Sequence, residues 1–122
     1  MGFLGGRSPY FVRLREEIAR LGGMFNAHLH LDRAGTLDDR YLDVAKVKVL
    51  ENSHISLQKK HYLINAIHAG PAYQADDLAA RVNDTLDIMV AANTVRADSM
   101  VDVTDDGVGL SALSLLGEIR DR

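Results

Sequence analysis

Strand periodicity occurs in two stretches of this chain, and about sixty residues separate them. Residues 24–31 (MFNAHLHL) alternate Ala27, Leu29 and Leu31 with Asn26, His28 and His30. Residues 94–103 (TVRADSMVDV) place Val95, Ala97, Val101 and Val103 on one face and Arg96, Asp98, Met100 and Asp102 on the other. The intervening sequence reads as helical. Two strands joined through helices pair in parallel by a right-handed crossover. The expected fold is therefore α/β, with helices on the Ala27/Leu29/Leu31 and Ala97/Val101/Val103 side. A parallel sheet needs cover on both faces, and two strands make a poor sheet. The pattern reads as the opening of a larger α/β array.

The helical segments carry their own punctuation. Over residues 8–21, Ser8 and Pro9 suit a helix start, Phe11, Leu14, Ile18 and Leu21 form one stripe, and Gly22-Gly23 ends it. Residues 37–92 form a helical insert in three parts. Asp38-Asp39 opens a segment with Tyr41, Val44, Ala45 and Lys48 on one side. Ser56 caps a second, closed by Gly70-Pro71, and Asp76-Asp77 opens a third bearing Leu78, Val82, Leu86, Met89 and Val90. A last helix over residues 105–121 starts at Asp105-Asp106 and carries Leu110, Leu113, Leu116 and Ile119. Acidic pairs at helix starts are favoured by the helix dipole, so these pairs read as caps rather than metal ligands.

Composition narrows the function. Fourteen Lys and Arg against seventeen Asp and Glu give a net charge of −3, unlike the basic excess of nucleic-acid binders. No apolar run is long enough to span a membrane. The chain has no cysteine, which excludes thiolate metal sites and cysteine nucleophiles and fits a cytoplasmic setting. The 122 residues read as one domain. Any chemistry must come from His, Asp, Lys, Arg or Ser.

His28-Leu29-His30 is the candidate. Residues i and i+2 of a strand project to one face, about 6–7 Å apart along the chain, and two imidazoles so placed can converge on one divalent ion. They stand at the strand's C-terminal end, the rim on which parallel α/β folds build active sites. The bland alternative is a surface pair or a hydrogen-bonded core pair.

The flanking residues extend the motif. Phe25-Asn26-Ala27-His28-Leu29-His30-Leu31-Asp32 resembles the first-strand signature of the metal-dependent amidohydrolase superfamily, in its cytosine-deaminase-like and adenosine-deaminase-like branches. Val101-Asp102-Val103-Thr104-Asp105 is similar to the second-strand segment of cytosine deaminases, although Met100 stands where those enzymes tend to carry histidine. The resemblance implies a partial TIM (β/α)8-type barrel. His28 and His30 would be metal ligands for Zn or Fe, and a metal-activated water would attack a C–N bond of a small-molecule substrate. Such barrels take about 200–250 residues, and catalytic zinc normally has three protein ligands. The chain is thus expected to be the N-terminal part of a hydrolase, inactive alone, that self-associates or meets a partner chain completing the barrel. A non-catalytic interaction module and one chain of a split enzyme are the alternatives.

Other candidates carry less. His54, His61 and His68 in the insert read as a solvated helix face or a partner-facing patch. Arg96, Asp98 and Asp102 read as a structural Arg–Asp set. Gly107-Val108-Gly109 lacks the further glycine of a phosphate loop, and Ser111 and Ser114 read as helix-surface residues.

Overall fold

Proline at the first helical position and two glycines past the last one delimit the opening helix, α1 (Pro9–Arg20). Gly22 and Gly23 have φ of +96° and +92°, and the Gly23 N–H donates to the Ile18 carbonyl at 2.8 Å. The apolar stripe forms but is not covered. No residue of α1 is buried, and Leu21 stays 72% exposed. The computed structural model describes residues 8–42, 54 and 56–122. Along them follow β1 (Met24–Leu29), a 3-10 turn (Leu31–Arg33), α2 (Asp39–Leu42), α3 (Leu57–Ala69), a second 3-10 turn (Pro71–Tyr73), α4 (Ala75–Ala91), β2 (Thr94–Ser99) and α5 (Ser111–Arg120).

The two strands pair in parallel, as the crossover argument requires. Both end earlier than their alternation suggests. Leu31–Arg33 winds into a 3-10 turn, and the Asp102 N–H donates to the Asp32 carboxylate rather than to a strand. The expected sharing of faces also needs correction. Met24 pairs with Thr94, but Phe25 pairs with Arg96 and Asn26 with Ala97, so Val95 is an extra residue on β2. This shift places Arg96 beside Phe25, its guanidinium 4.6 Å from the ring centre, and takes Ala97 off the Ala27 row.

Val95 is accommodated by the glycine that precedes β1. A Cβ on Gly23 would lie 2.3 Å from Val95 Cγ1, and the backbone there is left-handed. Gly23→Ala is expected to destabilise the chain by about 2 kcal/mol, read as a lowered denaturation midpoint. Gly22→Ala, which meets no atom within 4 Å, serves as the comparison.

The insert departs from its expected outline in detail. The Asp38 carboxylate accepts the Arg40 N–H at 2.8 Å at the start of α2, a capping contact as expected. Val44, Ala45 and Lys48 lie outside the described residues. Asp76 and Asp77 occupy the first turn of α4, as the dipole favours. Asp105 and Asp106 do not open the last helix. They sit in a turn before it, and α5 begins at Ser111. Its buried face is consequently rotated: Ala112 is fully covered and Leu115, Leu116 and Ile119 pack on the core, whereas Leu110 and Leu113 are exposed.

The core lies beyond the C-terminal ends of the strands rather than under their middle. Leu31, Tyr41, Ala72, Tyr73, Leu78, Val82, Val108 and Ala112 form it, with Leu29 and Val101 packed against its edge. Ala27 and Val103, expected under helices, are exposed, and so is Val90 at the end of α4. No helix among the described residues is long and apolar enough to cross a membrane.

Candidate metal centre and the polar network behind it

Strand parity sends His28 and His30 to the same side. Their ring centres are 5.4 Å apart with planes inclined at 57°, and both residues are exposed. His28 is the penultimate residue of β1 and His30 lies just past its end, at the rim next to the 3-10 turn. Among the described residues, neither ring nitrogen has a hydrogen-bond partner. Two adjacent imidazoles with unengaged nitrogens suit a borderline divalent ion such as Zn²⁺ or Fe²⁺. No third His, Asp or Glu among the described residues joins them in a group able to hold an ion. Asn26, one step deeper, accepts the His28 backbone N–H through Oδ1 at 3.4 Å.

Behind this exposed pair stands a buried polar network. Asp32, fully buried, accepts the Tyr73 hydroxyl at 2.8 Å and the Asp102 N–H at 2.9 Å through Oδ2. Arg33 grips Asp102 with two hydrogen bonds of 2.6 Å. His68 bridges two carboxylates, with Nδ1 2.6 Å from Asp106 and Nε2 3.0 Å from Asp102. Arg81 of α4 donates to Asp77 and to the carbonyls of Asp32, Ala34 and Ala72. Tyr41 in turn donates to Asp77 at 2.8 Å.

This network corrects two expectations. His68 is not on a solvated face: its side chain is 2% exposed. Ile67 packs against the core beside His68, whereas His61, two turns earlier on the same stripe, is exposed. Asp102 pairs with Arg33, while Arg96 and Asp98 form their own exposed contact at 3.3 Å. Arg81 and Tyr73 had no signal as site residues, although Arg81 interrupts the apolar row of Leu78 and Val82, an unusual place for an uncompensated cation.

The electrostatics follow from these contacts. Burial disfavours the Asp102 carboxylate, but Arg33 and His68 outweigh it and hold its carboxyl below the ordinary range. Asp106 is lowered to about 2 by the Thr104 hydroxyl, His68 and the Val108 N–H. Burial raises the Tyr73 phenol, and the hydrogen bond to Asp32 raises it further, so it remains a donor. Because the two aspartates are lowered in the folded chain, their contribution is complete above the unfolded value near 3.8 and lost as pH falls below it, for Asp106 toward about 2. The unfolding temperature is expected to fall between about pH 5 and pH 2, and less steeply in Asp106→Asn. Equal slopes would contradict this assignment.

No family model, curated protein or solved structure matches the chain.

Proposed function

We propose that this chain is the N-terminal part of a metal-dependent hydrolase of the amidohydrolase type, contributing the first two strands of a (β/α)8-type barrel. The observation that carries this reading is the His28/His30 pair, exposed and side by side at the C-terminal rim of a strand in a parallel pair. His28 and His30 would hold a divalent ion, Zn²⁺ or Fe²⁺, with further ligands supplied from outside these residues. The chemistry of such an ion is to acidify water toward neutral pH for attack on a carbon of a C–N bond in a small substrate. Behind the pair, Asp32 bonds Tyr73 and the Asp102 N–H, and Arg81 ties the Leu31–Arg33 turn to α4. The uncovered stripe of α1 and the two strand edges suit self-association or a partner chain.

The same uncovered stripe favours a second reading, a non-catalytic α/β interaction module. Metal analysis of the purified chain separates the two. The hydrolase reading expects chelatable zinc or iron that is lost in His28→Ala and in His30→Ala. A metal content equally low in wild type and both variants would support the module.

A further inference from the structure

The two imidazoles receive no hydrogen bonds among the described residues, which leaves their backbone and their contact with each other to set where they point. That backbone runs directly into the Leu31–Arg33 turn, and Asp32 is the residue that fastens the turn. Its side chain reaches Tyr73 from the insert and the backbone of Asp102 beyond β2, while its carbonyl accepts Arg81 from α4 at 3.2 Å. The Leu31 N–H adds a bond to Ser99 Oγ at 3.0 Å, at the end of β2. A fully buried carboxylate is costly, and Oδ1 has no partner among the described residues, so apolar packing alone does not account for an aspartate here.

We propose that Asp32 is a positioning residue for the His28/His30 pair, holding the turn that sets the spacing and direction of the two rings. This inference rests on the metal reading above and deepens it. Outer groups that orient metal ligands typically change affinity by about 10–100-fold when removed. Asp32 acts through the backbone, and the lower end of that range is expected.

Zn²⁺ titration of the full chain tests it, with unfolding midpoints measured in parallel. Asp32→Ala removes the oxygen that accepts both hydrogen bonds and is expected to weaken zinc binding about tenfold. Asp32→Asn keeps one carbonyl oxygen for Tyr73 and the Asp102 N–H, and should fall between Asp32→Ala and wild type. Val82→Ala, at a core position 1% exposed on α4, lowers stability without removing a hydrogen bond of the turn and should bind as wild type does. The imidazole resonances of His28 and His30 should move in the Asp32 variants and stay in place in Val82→Ala. Wild-type affinity in Asp32→Ala, or an equal loss in Val82→Ala, would overturn the proposal. If Asp32→Ala fails to fold, Asp32→Asn decides. If wild type itself takes no zinc, the metal reading fails on its own, and the resonances still decide whether Asp32 positions the pair.

Discussion

Replacing Arg81 with alanine should unfold the chain or leave it barely stable, at a cost of about 4–5 kcal/mol. The Arg81 side chain is 8% exposed, and its guanidinium serves Asp77 together with the carbonyls of Asp32, Ala34 and Ala72. Each buried acceptor left without a donor costs about 1–3 kcal/mol, and domains of this size rarely have more than about 5–15 kcal/mol in reserve. The aliphatic stem matters as well, because it covers Gly35 with Cδ 3.7 Å from where a Cβ would stand. Arg81→Lys is expected to recover little, since one ammonium cannot reach carbonyls on both sides in the fork geometry. Chemical denaturation of both variants measures this. A lysine variant within about 1 kcal/mol of wild type would show that charge alone, and not the fork, is what the site requires.

The second large effect belongs to His68. His68→Ala empties a buried position and leaves Asp102 and Asp106 without the group that joins them. A buried acceptor left without its hydrogen-bond partner costs about 1–3 kcal/mol, and with the emptied ring volume and the remaining Arg33 bridge to Asp102 the expected loss is about 3 kcal/mol. The loss should also be structural. Through His68 the end of α3 is held to the turn after β2, so amides of residues 63–69 should exchange faster with solvent. Protection unchanged by the substitution would place the hold elsewhere, in Ile67 and its apolar neighbours.

The sequence shows the outline of this fold because its elements follow local rules. Alternation marks β1 and β2, Ser8-Pro9 and Gly22-Gly23 bracket α1, and the helices between the strands require a parallel pair. It does not show the position of the core. Binary pattern cannot tell that Val95 is an extra residue, since a bulge shifts parity without changing composition. The stripe Leu110/Leu113/Leu116 has helical spacing, yet the helix begins only where Asp106 releases the chain, and that depends on Thr104, Val108 and His68. The site divides in the same way. His28 and His30 are legible because two residues separated by one position make a local pattern. Asp32, His68, Tyr73, Arg81 and Asp102 come together across separations of up to about seventy residues, and no periodicity encodes such meetings.

Zinc titration followed through the imidazole resonances tests the metal assignment most directly. The chain has five histidines, and they report separately: His28 and His30 at the end of β1, His54 and His61 in the insert, and His68 in the buried network. On addition of about one equivalent of Zn²⁺ to the chelator-treated protein, the resonances of His28 and His30 should shift together while those of the other three stay in place. Shifts at His54 or His61 instead, or no shift at any histidine under saturating zinc, would contradict a metal centre at the end of β1.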